Sequence, residues 1–265
     1  MIDALKNHWP EYLMEAAGLA VFMVSACAFA ALIFHPSSPA AALRLGPQLS
    51  RVAMGTAMGL TSVLIITSPW GKRSGAHINP AVTLTFFRLG KIKFWDALLY
   101  VLAQFAGGIV GVLVATAALG HLVSDPPVNY VATVPGQYGA WVAFLAEVVI
   151  SFVLMLVVLT VSNTRGLARW TPLFAGVLVA TYISVEDPLS GMSMNPARTF
   201  GSAFSARLWT ALWVYFTAPP LGMLFAAEAY TRIKGARAVA CAKLHHHNAK
   251  RCIFNCGYTT VEVRG

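Results

Sequence analysis

Hydrophobic residues occur in six long blocks separated by short polar stretches, and this alternation is the strongest signal in the sequence. A helix needs about 20 apolar residues to cross the roughly 30 Å of bilayer hydrocarbon, and most of the blocks have about that length. They cover approximately residues 16–34, 52–71, 97–120, 139–164, 170–185 and 208–227. The pattern predicts an all-α integral membrane protein with six transmembrane helices.

The composition supports a chain that faces lipid rather than water. Hydrophobic residues make up 57% of the sequence and charged residues 11%, whereas a soluble domain has about 25% charged residues. So few charges cannot cover a water-exposed surface. We therefore expect the lipid bilayer as the surroundings of this protein, and we exclude an ordinary soluble enzyme.

The net charge of +9 raises the question of a nucleic-acid partner, but the distribution of basic residues answers it differently. If both termini face the cytoplasm, that side holds all but four of the nineteen basic side chains. The four on the other side are Arg44, Arg51, Arg198 and Arg207. This asymmetry follows the positive-inside rule and predicts cytoplasmic termini, so the excess charge does not call for a nucleic-acid partner. We expect the plasma (inner) membrane as the location.

One motif occurs twice and reveals an internal duplication. The segment Ser74-Gly-Ala-His-Ile-Asn-Pro-Ala81 reappears in altered form as Ser190-Gly-Met-Ser-Met-Asn-Pro-Ala197. We predict repeat 1 at about 11–120 and repeat 2 at about 139–231, within a membrane domain of residues 1–231. Each repeat has three crossings, an odd number, so the two repeats are inverted about a pseudo-two-fold axis in the membrane plane.

The segments that follow the two motifs are too short to cross a bilayer. Residues 80–89 and 196–206 would each form a helix of roughly 15 Å, half of the hydrocarbon thickness. Asn is a strong N-cap residue and Pro is favoured at the first helical position, so each Asn-Pro pair marks a helix start. We therefore predict two re-entrant half-helices, each preceded by non-helical backbone at membrane depth.

Paired Asn-Pro-Ala motifs in inverted halves, with Arg198 directly after the second, resemble the aquaporin (major intrinsic protein) family over residues 11 to about 231. One copy alone would be weak evidence, because Asn-Pro is also an ordinary helix start. The resemblance implies an aquaporin-like fold and a passive channel for water and small neutral solutes. It also implies a homotetramer with a pore in each subunit, no enzyme activity and no cofactor.

The resemblance further implies roles for the motif residues. The two triplets are Asn79, Pro80, Ala81 and Asn195, Pro196, Ala197. In the family the half-helices meet end to end, and Asn79 and Asn195 each direct an amide N–H group into the pore. A line of backbone carbonyls would accept hydrogen bonds from water at Gly75, Ala76, His77, Gly191, Met192 and Ser193. Glu15 and Glu147 would support these loops by accepting backbone N–H groups, and His77 is interpreted as a structural residue rather than a titrating gate.

Four positions would form the narrowest part of the pore in this family. Their spacing from the second motif assigns three of them to Ile183, Met192 and Arg198, and the fourth, on the second span, is assigned to Met58. Water-selective members generally have an aromatic residue and a histidine at the positions of Met58 and Ile183, so this chain departs from their pattern. Thr199 and Ala203, by contrast, resemble the water channels. We expect water as the principal permeant, with glycerol or another small neutral solute as the alternative.

The predicted tail, residues 232–265, is basic and contains three of the four cysteines. We interpret it as a cytoplasmic tail without a metal, since no C-x2-C pair is present. An alternative set of zinc ligands is Cys241, His245, Cys252 and Cys256, in which Cys-x3-His and Cys-x3-Cys follow one-turn helical spacing.

A protein of another class remains an alternative to the passive channel. Two carboxylates at membrane depth, Glu15 and Glu147, together with inverted repeats, are also typical of proton-coupled secondary transporters. An enzyme is disfavoured, because the apolar blocks contain neither a nucleophile with its base nor a cluster of metal ligands.

Overall fold

The computed structural model describes residues 1–258, so the last seven residues of the predicted tail, 259–265, lie outside the described residues. This part of the chain is helical and contains no β-strand. The first half contains α1 (Ile2–Phe34), α2 (Pro47–Thr67), α3 (Pro69–Ser74), α4 (Pro80–Arg88), α5 (Phe94–Leu119) and α6 (His121–Ser124). The second half contains α7 (Ala140–Ser162), α8 (Thr171–Val185), α9 (Asp187–Ser190), α10 (Pro196–Ala206) and α11 (Leu212–Lys234).

Six long helices, α1, α2, α5, α7, α8 and α11, form the bundle that the hydrophobic blocks predict. Five of them are long and apolar enough to cross a membrane, when α8 is taken together with the 3-10 turn before it as Ala168–Val185. The sixth, α11, has 23 residues but is less apolar, because it includes Pro219, Pro220 and Glu228. Many large hydrophobic side chains are exposed on the outside of the bundle, such as Leu64 and Leu145. A lipid-facing surface accounts for this exposure.

The two short helices after the Asn-Pro pairs have the predicted length. Helix α4 contains 9 residues and α10 contains 11, which correspond to roughly 14 and 17 Å. Neither can cross a bilayer of about 30 Å. The prediction of two re-entrant half-helices is confirmed.

Helix α2 ends earlier than the hydrophobic pattern indicates. We expected the second span to continue to about residue 71, but α2 ends at Thr67 and α3 begins at Pro69. Ser68 has extended backbone, as expected for a residue that precedes proline, and its side chain caps α3 by accepting a hydrogen bond from the Gly71 N–H group at 3.0 Å. Residues 67–71 carry no charge, so a count of uncharged residues runs past the break, whereas Ser68-Pro69 is itself a helix-boundary signal.

Helices of the same repeat pack in close pairs, α1 along α5 and α7 along α11, while α2 and α8 pair across the two repeats. Glycines allow the close approach. A Cβ atom added at Gly107 of α5 would lie 2.1 Å from the backbone oxygen of Ala16, and one at Gly222 of α11 would lie 2.3 Å from that of Val148. Small residues have this role in membrane helix pairs.

The start of α1 and the chain after α11 lie at the same face of the bundle, where Arg251 donates to the Asn7 backbone oxygen. We call this the terminal face and the opposite one the distal face. Helix α4 runs from the centre to the terminal face, where Arg88 at its end lies 3.7 Å from Glu228 of α11, and α10 runs from the centre to the distal face, where it packs against the 3-10 turn Asn129–Val131. This opposite orientation is what an odd number of crossings per repeat predicts. The inverted arrangement of the two repeats is therefore present in the structure.

Candidate functional site

The half-helices α4 and α10 touch at their N-terminal ends through the two motif asparagines. The Asn79 Nδ2 group donates to the backbone oxygen of Met194 at 2.7 Å, and the Asn195 Nδ2 group donates to that of Ile78 at 2.8 Å. Each Oδ1 atom also caps its own helix, at 2.9 Å from the Ala81 nitrogen in the first half. In the second half, Oδ1 accepts from Ala197 and Arg198. The two asparagines thus join the repeats at the centre of the bundle.

The backbone before each asparagine adopts a conformation that L-residues rarely use. Ala76 and Ile78 have φ angles of 53° and 39°, and their counterparts Met192 and Met194 have 41° and 52°. Left-handed residues at alternate positions turn successive peptide groups, so N–H groups and carbonyl groups point in different directions. Each such residue costs of order 1 kcal/mol or more, and the surroundings must hold it in place.

Glu15 supplies this support in the first repeat. Its Oε1 atom accepts from the Ser74 hydroxyl at 2.8 Å and from the His77 N–H group at 3.1 Å. Its Oε2 atom accepts from the Ile78 N–H group at 2.6 Å and from the Gln104 amide at 2.9 Å. The fully buried carboxylate therefore has two donors on each oxygen.

Glu147 makes the equivalent contacts in the second repeat. Its Oε1 atom accepts from the Ser190 hydroxyl at 2.9 Å and from the Ser193 N–H group at 2.6 Å, and its Oε2 atom accepts from the Met194 N–H group at 2.7 Å. Charge-assisted hydrogen bonds of this kind are stronger than neutral ones. Each glutamate thus binds N–H groups of its loop, and the carbonyl groups of the loop point in other directions.

Most of the expected carbonyl acceptors are free of protein donors. Within residues 1–258, no hydrogen bond from the protein reaches the backbone oxygens of Ala76, His77, Gly191, Met192 or Ser193. Gly75 differs from the expectation, because its backbone oxygen accepts the N–H group of Leu244 at 3.1 Å. The C-terminal segment thus occupies one acceptor that we had assigned to the permeant.

A cavity of about 520 Å³ extends through the bundle along these loops. Asn79 and Asn195 both line it, where the half-helices meet. Leu244 contributes to its wall on the terminal face, and Arg51 and Pro127 contribute near the distal face. The cavity therefore extends from the terminal face, past the two motif asparagines, towards the distal face.

All four positions assigned to the narrow part of the pore line this cavity, namely Met58, Ile183, Met192 and Arg198. The side chains of Met58 and Met192 are buried at 1% and 6% exposure. The Nη1 atom of Arg198 has no hydrogen-bond partner among the described residues. Of the four assigned positions that line the cavity, Arg198 is the charged one and the other three are apolar.

His77 is enclosed on several sides. Its ring stacks between Phe86 and Phe254, at centroid distances of 5.2 and 5.3 Å. Its Nδ1 atom lies 3.1 Å from the Thr83 hydroxyl, and its Nε2 atom lies 2.8 Å from the backbone oxygen of Ala242. The histidine thus connects the loop to both α4 and the C-terminal segment.

The structure changes one member of the alternative zinc-ligand set in the tail. Ligand atoms of Cys241, His246, Cys252 and Cys256 lie within 4.8 Å of one another, and His245 is not part of this cluster. Our choice of His245 assumed helical spacing, whereas the segment is not helical beyond a short 3-10 turn at Ala236–Ala238. In irregular backbone a spacing of four residues does not place two side chains on one face.

Sequence reasoning missed a set of buried partners behind the loops. The hydroxyl groups of Tyr100 and Tyr215 donate to the backbone oxygens of Ser74 and Ser190, both at 2.7 Å. These are equivalent positions of the two repeats with identical residues, and this identity was a usable signal. Gln104, which reaches Glu15, has no such signal, because the equivalent position in α11 is Pro219.

Six crossing helices, two capped half-helices that meet tip to tip, and one cavity beside them define a multi-pass membrane protein with the aquaporin-like architecture. The family model described as Major intrinsic protein matches residues 3–230. The chain therefore belongs to the major intrinsic protein family. This family consists of channels and transporters rather than enzymes.

Individual relatives agree with this assignment. Aquaporin NIP2-3 of Zea mays is 34% identical over 197 residues, which cover 74% of this chain and 63% of that protein. Glycerol uptake facilitator protein-like 6 of Lactiplantibacillus plantarum is 38% identical over 184 residues, 66% of this chain and 82% of that one. This chain thus spans less than two thirds of the length of the maize relative.

A solved structure supports the fold. The X-ray structure of the aquaglyceroporin from Plasmodium falciparum superposes with a TM-score of 0.71, covering 86% of this chain and 97% of that one. The sequence identity is 22%, so the likeness concerns the fold.

Proposed function

We propose that this protein is a passive channel that conducts water and other small neutral solutes through the central cavity and excludes ions and protons. The observation that carries this proposal is the cavity itself, which both motif asparagines and Arg198 line. No covalent chemistry is needed for this activity, and we assign no catalytic residue or cofactor.

The asparagines are proposed to select and orient the permeant at mid-membrane. A side-chain amide has two N–H groups, and in each asparagine the contact across the repeats uses one of them. The second is available to a molecule in the cavity. The N-termini of α4 and α10 add partial positive charge at the same place, which repels cations and opposes proton hopping along a chain of waters.

The free carbonyls of the two loops would replace part of the hydrogen bonds that a permeant loses on leaving bulk water. An unmatched polar group in a narrow apolar passage costs about 1–3 kcal/mol, so acceptors along the path lower the barrier. Glu15 and Glu147 keep the loops in this conformation. Because their oxygens already accept hydrogen bonds from the protein, a structural role is favoured over a proton relay.

Glycerol and similar polyols are the second candidate permeants. Met58, Ile183 and Met192 give the passage an apolar wall, and Arg198 provides a donor in the same region. A polyol matches this combination, with its C–H groups against the apolar side chains and its hydroxyl groups toward the guanidinium. Methionine is flexible, so the passage can adapt to permeants of different width.

We propose a homotetramer with one pore in each subunit, as the family resemblance implies. We also propose that the terminal face is cytoplasmic and that the protein lies in the plasma (inner) membrane. The support for this orientation is the excess of lysine and arginine on the terminal face.

Flux measurements on reconstituted vesicles test the proposal. After an osmotic or glycerol gradient is imposed, stopped-flow light scattering should show faster volume changes in vesicles that contain the protein than in empty vesicles. The rates should depend weakly on temperature and should not respond to a proton gradient. Saturable flux driven by a proton gradient would instead identify a coupled transporter. Rates equal to those of empty vesicles for both permeants would contradict a channel of either selectivity.

A further inference from the structure

The C-terminal segment after α11 folds back onto the terminal face of the bundle. Within it, the side chains of Val239, Cys241, Ala242 and Lys243 are all buried, at 0 to 3% exposure. The Ala240 N–H group donates to the Asn163 side chain at 2.7 Å, and the Asn255 N–H group donates to the Lys91 backbone oxygen at 2.9 Å. The segment is therefore a packed part of the protein, although most of it has no regular secondary structure.

Four metal-binding side chains meet inside this segment. The Cys241 and Cys252 Sγ atoms are 3.5 Å apart, the Cys256 Sγ atom lies 3.0 Å from the His246 Nε2 atom, and all four ligand atoms lie within 4.8 Å of one another. With Zn–S distances of about 2.3 Å and Zn–N of about 2.0 Å, tetrahedral ligand atoms are separated by roughly 3.5 to 3.8 Å. The observed cluster needs shifts of about 1 Å or less to bind zinc.

The surroundings of the cluster fit a bound metal. Three thiolates and a neutral imidazole around Zn²⁺ leave one net negative charge, and the buried ammonium group of Lys243 interacts electrostatically with all three cysteines. Lys243 also donates to the backbone oxygens of Lys250 and Arg251, directly before Cys252. The His246 ring stacks on Tyr258 at 4.3 Å, which fixes its orientation. Such supporting contacts are typical of structural metal sites.

The same segment contacts the pore loop of the first repeat. The Leu244 N–H group donates to the Gly75 backbone oxygen, and its side chain lines the cavity. Phe254 stacks on His77, and the Ala242 backbone oxygen lies 2.8 Å from the His77 ring nitrogen. Three residues thus reach the loop: Ala242 and Leu244 lie within three positions of Cys241, and Phe254 lies two positions from both Cys252 and Cys256. A metal that orders this stretch would therefore also order the terminal mouth of the cavity.

We propose that Cys241, His246, Cys252 and Cys256 bind one zinc ion or a similar soft divalent metal, and that this metal holds residues 239–258 over the terminal mouth of the pore and reduces permeation. A structural metal contributes folding free energy to a segment that has little of its own. Without the metal, the segment loses the constraint that positions Leu244, and the mouth opens. The regulatory part of this proposal rests on the proposed channel function, whereas the metal site does not.

The metal site is tested on the full-length protein, purified in detergent under reducing conditions. Zinc measured by mass spectrometry after gel filtration should approach one ion per chain. The His246→Ala and Cys252→Ser variants should retain about a tenth or less of the zinc that the wild-type chain retains. His247→Ala is the matched control, because this neighbouring histidine is exposed and outside the cluster. His245→Ala tests the other neighbour and should also keep the metal.

The regulatory role is tested by water flux in vesicles containing the wild-type chain, with zinc or after treatment with a strong chelator. We expect several-fold faster flux after zinc removal, and fast flux from Cys252→Ser under both conditions. Absence of zinc, or a Cys241–Cys252 disulfide in its place, would overturn the site. Bound zinc with unchanged flux would overturn the regulation. If zinc binds but no preparation conducts water or glycerol, the channel proposal fails while the metal site stands.

Discussion

At the scale of single residues, Arg198 places a guanidinium group beside the apolar side chains of Met58, Ile183 and Met192, in a cavity that Asp187 also lines. The Asn195 side chain accepts a hydrogen bond from the Arg198 backbone N–H group, so the capped start of α10 positions the arginine. A fixed positive charge in a narrow passage repels cations, because the low-dielectric surroundings screen it weakly. This arrangement leads to a prediction about selectivity.

Replacing Arg198 with alanine should keep water flux and raise the permeability to larger solutes and to monovalent cations. A lost repulsion of about 1–2 kcal/mol corresponds to a roughly 5- to 30-fold increase for cations. Stopped-flow solute uptake and vesicle conductance measure the change. Arg165→Ala, in an exposed loop on the terminal face, is the control, and equal selectivity of the two variants would argue against the assigned position.

Also at the residue scale, the buried glutamates are expected to stabilise the folded protein. In Glu15→Gln one oxygen becomes an NH2 group, which cannot accept the donors that reach the carboxylate there. We expect a loss of about 1–3 kcal/mol in the free energy of unfolding. Thermal unfolding in detergent should show a lower midpoint, and the half-exposed Glu228 changed to glutamine should show little effect. An unchanged midpoint for Glu15→Gln would contradict a supporting role for this carboxylate.

At the scale of elements, the helix pair α1 and α5 depends on the absence of a side chain at Gly107. A Cβ atom there would meet the Ala16 backbone at distances of 2.1 to 2.8 Å, and backbone atoms cannot move aside as a flexible side chain can. The pairing of α1 with α5 positions Glu15 relative to Gln104 and therefore shapes the first pore loop.

Gly107→Leu should force the two helices apart and destabilise the protein by about 1–3 kcal/mol or more. Ala106→Leu is the matched control, because Ala106 is the preceding residue on α5 and is exposed. The thermal midpoint and water flux should fall for the glycine variant and remain near the wild-type values for the control. Equal behaviour of the two variants would show that this helix contact does not depend on the glycine.

At the scale of the whole molecule, the inverted repeats place α4 and α10 on opposite sides of one centre. The proposed orientation follows from the positive charge on the terminal face, so it can be tested separately from permeation. Ser37 lies in an exposed loop on the distal face, and Lys6 is exposed near the start of α1 on the terminal face.

In a background without other cysteines, Ser37→Cys should react with a membrane-impermeant maleimide in intact cells. Lys6→Cys should react only after the cells are made permeable, because its face is proposed to be cytoplasmic. The two variants serve as controls for each other. The opposite labelling pattern would reverse the orientation without affecting the fold.

Much of the architecture follows from local features of the sequence. Bilayer thickness makes a block of about 20 apolar residues a spanning helix, and Asn-Pro at 79 and 195 marks helix starts through capping chemistry. The odd number of crossings per repeat then requires inversion. These inferences involve neighbouring residues or a simple count, so they do not need the packed structure. The break at Ser68 was also marked locally, by Pro69, but the count of uncharged residues ran past it.

Tertiary structure alone decided which distant groups meet. It joined Asn79 to the Met194 carbonyl, assigned the Gly75 carbonyl to Leu244 instead of a permeant, and brought His246 instead of His245 to the cysteines. Contacts of this kind depend on how segments far apart in the chain pack, and the irregular segment after α11 has no periodicity from which side-chain directions follow. The sequence therefore determined the helices and their order, and the packing determined the wall and the terminal mouth of the cavity.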